Sequence, residues 1–225
     1  MNKTLLIYMS GGIGDNIMYS RFIRNICKKY NKNKIFFLVY NNLFWIYSYI
    51  YKDIEQLSII PYCKRETIKH FDYHINISQL HNVLELEYED IYIEYFPDLP
   101  SYPIDFCIKK PSIIINWKGC SKNSHEKYNR SIDLQLCIPL FKIEHIQWIS
   151  ITQNITKEEM YILSNNKVKH LSLDQDESFR YSTTLLKMVD CVITTDTSLA
   201  HMCGTLGINC YVMLTSGCDW RWTHN

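Results

Sequence analysis

Val192-Ile193-Thr194-Thr195-Asp196-Thr197-Ser198-Leu199-Ala200-His201 changes character in mid-stretch, and the change decides the fold. Up to Thr195 the residues are apolar or β-branched, as a buried strand requires; Asp196, Thr197 and Ser198 are the short polar residues that open helices. Gly204 and Gly207 follow, and then an apolar run through Tyr211, Val212, Met213 and Leu214. The order is strand, helix, strand.

Working outward, the same alternation recurs. Ser112 to Trp117, Ile146 to Ile151, Lys169 to Leu173, Cys191 to Thr195 and Asn209 to Leu214 read as strands, while Glu158 to Leu163 and Tyr181 to Val189 have helical spacing. Nearer the N-terminus, Thr4 to Met9 ends in Ser10-Gly11-Gly12-Ile13-Gly14-Asp15, after which Phe22, Ile23, Ile26, Cys27 and Tyr30 recur at helical intervals. Ile35 to Tyr40 reads as a second buried strand and Leu43 to Tyr51 as an aromatic-rich helix. Between the two series, Tyr88 to Tyr95 alternates acidic with apolar and aromatic residues, and Pro97, Pro100 and Pro103 follow. Prolines at that spacing suit neither a helix nor a central strand, so the reading is an extended linker with a boundary between about Asp90 and Pro111. The expected fold is α/β with two Rossmann-like domains, 1–105 and 106–225, and a ligand in the cleft between them at the carboxyl ends of the strands.

Composition narrows the function classes. A hydrophobic content of 47% over 225 residues fills real cores, and 24 basic against 23 acidic residues leave a net charge of +1, too little to attract a polyphosphate backbone. Nucleic acid is therefore not expected as a partner. The 9 cysteines are odd in number and include no C-x-x-C pair, which argues for free thiols in a reducing compartment. No apolar stretch is long enough to span a bilayer, and the run after Lys3 is too short for a signal peptide, so a cytoplasmic protein is expected. His70, His74 and His81 lack the spacing of a metal motif, and no metal or cofactor is expected. The third glycine of a dinucleotide fingerprint is missing too, because Ile17 stands in its place.

Two places carry candidate chemistry. At Asp196, Thr197 and Ser198, hydroxyls and free backbone N–H groups converge where a helix begins, which is suited to phosphate; the same residues are also ordinary N-caps. At Gly11-Gly12-Ile13-Gly14-Asp15, absent side chains let a partner approach the backbone beside a carboxylate, though Asp15 serves equally well as a helix cap.

The run from Val189 to Trp222 resembles the C-terminal signature of the heptosyltransferases (glycosyltransferase family 9) and of related transferases fused to tetratricopeptide repeats. The residues that carry the resemblance are Asp196, Thr197, Ser198, Ala200, His201, Gly204, Gly207 and Asp219-Trp220-Arg221-Trp222. Trp117-Lys118-Gly119, His125 and Arg130-Ser131 are similar to a second family element, and Gly12-Ile13-Gly14-Asp15 to its Gly-x-Gly-Asp turn. The resemblance implies a GT-B glycosyltransferase that is inverting and metal-independent, moving a sugar from a nucleotide-sugar donor to a glycan, lipid-linked or protein acceptor. It implies donor binding by Gly119, Arg130, Asp196, Thr197, Ser198, His201, Trp220 and Arg221, with Asp15 as catalytic base and Gly12 and Gly14 in an acceptor-side loop. Lys118 adds a point charge on this reading or sits in a solvated loop, and His201 touches phosphate or merely packs. Family members usually continue past the Asp-Trp-Arg-Trp motif, so a C-terminally truncated GT-B fold is expected, and the alternative function is a non-catalytic remnant that keeps nucleotide binding.

Overall fold

Among the described residues nine strands form two sheets, of four and five strands, and every pairing within them is parallel. The computed structural model describes residues 3–86, 96, 98–119, 130–173 and 178–222. They group into two compact units, Met1–Pro100 with Gln175–Phe179, and Ser101–Asp174 with Arg180–Asn225. The sequence reading placed the division after residue 105; residues 101–109 have no regular secondary structure.

In the first unit β1 (Thr4–Tyr8), β2 (Lys34–Val39), β3 (Leu57–Pro61) and β4 (Tyr73–Asn76) lie in the order β3-β2-β1-β4. The helices α1 (Ile13–Ser20), α2 (Ile23–Lys29), α3 (Phe44–Ile50) and α4 (Leu80–Leu84) connect or follow them. In the second unit β5 (Ser112–Asn116), β6 (Gln147–Ser150), β7 (Lys169–His170), β8 (Cys191–Thr195) and β9 (Cys210–Met213) lie in the order β7-β6-β5-β8-β9. Its helices are α5 (Ile138–Phe141), α6 (Lys157–Asn165), α7 (Ser178–Met188) and α8 (Ser198–Leu206). Each unit starts in the middle of its sheet, winds to one edge, and then crosses to the other side of its first strand. This is the doubly wound arrangement, whose crevice opens where the winding reverses: beside β1 and β4 in one unit, and beside β5 and β8 in the other.

Parallel strands joined by helical crossovers are covered on their faces, which is why the central ones read as unbroken apolar runs. In β5, Ile114 and Ile115 are fully buried, and in β2 Ile35, Phe37 and Val39 face inward at alternate positions. Each such side chain contributes roughly 1.5–3 kcal/mol by leaving water. The second unit's core gathers Ile115, Trp117, Leu134, Cys137, Phe141, Trp148, Leu163 and Val168, with Trp148 edge-on to Phe141 at 5.5 Å. Among the described residues, no helix is long and apolar enough to cross a membrane.

The structure departs from the sequence reading mainly at sheet edges. β3 and β4 went unread, because an edge strand needs no apolar run: β3 ends on Pro61, and Tyr73 and His74 at the start of β4 are exposed. At one edge of the second sheet, the strand expected over Lys169 to Leu173 shortens to Lys169–His170. The helical spacing from Phe22 belongs to α2, and a separate helix, α1, precedes it and opens immediately after Gly12. Gly14 and Asp15 therefore stand inside the first turn of a helix, not in a loop, and Gly12 is the N-cap. The alternating stretch Tyr88 to Tyr95 lies outside the described residues apart from its surroundings.

Candidate functional site

At the switch point of the second unit, β8 ends at Thr195, and Thr197 caps α8 with extended backbone (φ −136°, ψ 171°). The Thr197 side chain makes no capping hydrogen bond to the helix. Its hydroxyl lies 3.1 Å from that of Thr194, and the Asn116 amide donates to Thr194 Oγ1 at 3.1 Å and to Thr197 Oγ1 at 3.5 Å. Asn116 is the last residue of β5, so this buried cluster ties the ends of the two strands flanking the crevice to the start of α8. Sequence reasoning passed over Asn116 and Thr194. The available signal was a polar residue directly after Ile113-Ile114-Ile115, where a buried amide needs a specific partner.

Arg130 reaches the same place. Its Nη1 donates to the Asp196 carbonyl at 2.9 Å, bringing a guanidinium beside the turn that leads into α8. On either side of residues 120–129, the Ile132 N–H donates to the Trp117 carbonyl at 2.8 Å and the Gly119 N–H to Ser131 Oγ at 3.4 Å. Gly119, Arg130, Asp196, Thr197 and Ser198, separated by up to 79 positions, are thus placed around the carboxyl ends of β5 and β8. His125, Lys122 and Lys127 lie outside the described residues.

Lys118 does neither thing expected of it. Its ammonium pairs with Glu159 Oε2 and donates to the Asn154 carbonyl at 3.0 Å, and the pair is well shielded, with side chains 19% and 17% exposed. Trp117 Nε1 donates to the other oxygen of Glu159 at 2.8 Å. Glu159 also completes a capping box with Thr156 at the start of α6. Burial alone would raise the Glu159 carboxyl, but hydrogen bonds from Lys118, the Thr156 backbone and Trp117, with the lysine's charge, hold it below the usual carboxylate range. The β5 loop is thereby anchored to α6, and the lysine is a structural ion pair.

The tail folds onto the first turns of α8. Asp219 takes the Arg221 fork through two hydrogen bonds of 2.9 Å, Arg221 Nη1 lies 3.5 Å from His201 Nε2, and Trp222 stacks on the His201 ring with centroids 5.4 Å apart. His201 is thus packed between ring and guanidinium; the side chain of Trp220 lies outside the described residues. Gly207 closes α8 in the left-handed region (φ 69°), where glycine is favoured. Gly204 has open space around it, so no close approach demands glycine there.

In the first unit the switch point holds the glycine turn. Gly11 adopts φ 76°, a conformation that side chains resist, and a Cβ on Gly12 would meet Asp15 Oδ2 at 3.0 Å. The Asp15 carboxylate therefore lies over the turn, three residues into α1, where the helix dipole favours negative charge. Among the described residues no group of three or more His, Cys, Asp or Glu side chains is arranged to hold a metal ion.

Two α/β units with doubly wound parallel sheets, and polar residues gathered at both switch points, place the chain in the Rossmann-like fold class. No protein-family model matches the chain, and no curated protein is similar to it in sequence. Solved structures are similar in fold. The iron-containing dodecameric glycosyltransferase TibC from enterotoxigenic E. coli shares 10% identity over 94% of this chain and 58% of its own, with a TM-score of 0.65. The E. coli heptosyltransferase WaaC, solved with ADP-2-deoxy-2-fluoro heptose, shares 12% identity over 93% of this chain and 88% of its own, with a TM-score of 0.56. A glycosyltransferase family 9 protein from Veillonella parvula shares 9% identity over 95% and 86%, with a TM-score of 0.58. The chain spans 58% of the length of TibC.

Proposed function

We propose that this protein is an inverting glycosyltransferase of GT-B type that transfers a sugar from a nucleoside-diphosphate sugar to an acceptor hydroxyl without a divalent metal. The observation that carries the proposal is the placement of Arg130 against the Asp196 carbonyl, in the turn where Thr197 and Ser198 open α8. A helix N-terminus and a guanidinium together supply the fixed positive potential that a departing diphosphate needs. The fold shared with glycosyltransferases, two of them recorded with an ADP-sugar or its analogue, supports the donor class.

In this reading the second unit holds the donor and the first presents the acceptor. The acceptor oxygen forms a bond to the anomeric carbon, the bond from that carbon to the diphosphate breaks, and Asp15 takes the acceptor's proton. The charge leaving with the diphosphate is held by α8 and Arg130, with Gly119 supplying a close backbone approach. His201, Arg221 and Trp222 line the side of α8 where a base or sugar would lie, and Trp220 belongs to the same motif.

The test is release of nucleoside diphosphate from a panel of nucleotide sugars, ADP-heptose included, with and without a chelator. Release from at least one donor, undiminished by chelation, is the expected result. Binding without release favours a nucleotide-binding protein, and release that chelation abolishes overturns the metal-free mechanism.

A further inference from the structure

The glycine turn of the first unit is held from outside at each of its carbonyls. Asn16, fully buried, donates through Nδ2 to the Ser10 carbonyl at 2.9 Å and to the Gly12 carbonyl at 2.7 Å. Two acceptors on one nitrogen settle which end of the amide is which. The remaining carbonyl, that of Gly11, accepts from the Tyr40 hydroxyl at 2.9 Å, and Asn76 Nδ2 at the end of β4 donates to Ser10 Oγ. Burial, the neighbouring Tyr62 and the Asp15 carboxylate push the Tyr40 phenol up, so it remains a proton donor across the physiological range.

This bracing has a cost that packing alone does not explain. Asn16 Oδ1 is buried with no hydrogen-bond partner among the described residues, a loss worth roughly 1–3 kcal/mol that an apolar residue of similar size would avoid. What the Nδ2 bonds secure is the orientation of two peptide planes in a turn where Gly11 is left-handed and Gly12 lies against Asp15.

We propose that Asn16 and Tyr40 are positioning residues, whose hydrogen bonds to the carbonyls of Ser10, Gly11 and Gly12 hold the turn so that the Asp15 carboxylate is seated for proton abstraction. The inference rests on Asp15 being the base. Neither residue touches the reacting atoms; both act through the turn.

Two measurements on the full chain test it. The first is amide hydrogen exchange without nucleotide: Asn16→Leu and Tyr40→Phe are expected to speed exchange across residues 11–15 by about 10-fold, with the rest of the unit unchanged. Unchanged exchange in both variants overturns the clamp, and Tyr40→Phe, which removes a single hydroxyl, carries the test if Asn16→Leu folds poorly. The second is ADP-heptose hydrolysis in a double-mutant cycle. Asn16→Leu is expected to lower kcat about 10-fold with KM unchanged, and to cause no further loss in an Asp15→Asn background. Equal losses in both backgrounds mean a general structural role and overturn the proposal. Near-normal turnover of Asp15→Asn removes the base and the positioning role with it, whereas a large loss there beside normal Asn16→Leu and Tyr40→Phe overturns positioning alone.

Discussion

The turn from β1 into α1 and the turn from β8 into α8 both lie where the winding of their sheet reverses, the first after the strand that starts its unit and the second after the strand across the reversal, yet they are built from different chemistry. In the first, a left-handed Gly11 and a bare Gly12 make room for the Asp15 carboxylate, and side chains take up the outward carbonyls. In the second, hydroxyls replace glycines, Thr197 is wired to Asn116 and Thr194, and the added charge is the Arg130 guanidinium on the Asp196 carbonyl. The first turn seats a carboxylate over its glycines; the second, which carries Asp196 of its own, adds the Arg130 guanidinium. A doubly wound sheet supplies a helix N-terminus at both positions; the residues of the turn decide whether it is cancelled by a carboxylate or reinforced by a cation.

The sharpest way to break this contrast is Asp15→Asn. Turnover of a sugar donor is expected to fall roughly 10²-fold or more while nucleoside diphosphate binding, measured by calorimetry, persists. Loss of binding instead would put both turns in one role. Next in size, Arg130→Ala should weaken nucleoside diphosphate affinity by about 10-fold or more, and Arg130→Lys should restore little because a point charge lacks the fork. An unchanged Kd would separate the cation from the donor.

Glu159→Gln tests whether the second turn depends on the anchored β5 loop. Removing the shielded partner of Lys118 should cost about 1–3 kcal/mol of stability in denaturant melts. The Glu159 carboxyl is depressed in the folded state, so its contribution is present above the ordinary glutamate value of 4.5 and lost as pH falls through the lower folded value. The gap between wild type and variant should accordingly close only in acid. The smallest expected effect is at Thr197→Ala and Ser198→Ala, each weakening nucleoside diphosphate binding by about 2–10-fold through a lost hydroxyl. For Thr197 the lost contacts to Thr194 and Asn116 should also appear as a lowered melting temperature.

Legibility in the sequence followed burial. The central strands and the start of α8 were readable, because strands covered on both faces must be apolar throughout and helix starts favour short polar residues. β3 and β4 were not, because β3 ends on proline and β4 opens on exposed Tyr73 and His74, whereas the edge strand β9 was readable from its run through Tyr211, Val212 and Met213. At the site, the motifs around Gly119, Arg130 and Thr197 could be picked out one by one, and the family resemblance linked them. Nothing in their order along the chain shows that Arg130 meets the Asp196 carbonyl or that Lys118 turns away to Glu159.

By itself, then, the sequence determined the alternation of strands and helices, the balance of charge, and the two strand-to-helix turns with their glycines and hydroxyls, all of which are properties of neighbouring residues. Tertiary structure alone decided the winding order of each sheet, the pairing of Asn116 with Thr194 and Thr197, and the reach of Tyr40 to the glycine turn. These depend on which segments lie side by side, and parallel strands with long crossovers bring together residues that no local spacing connects.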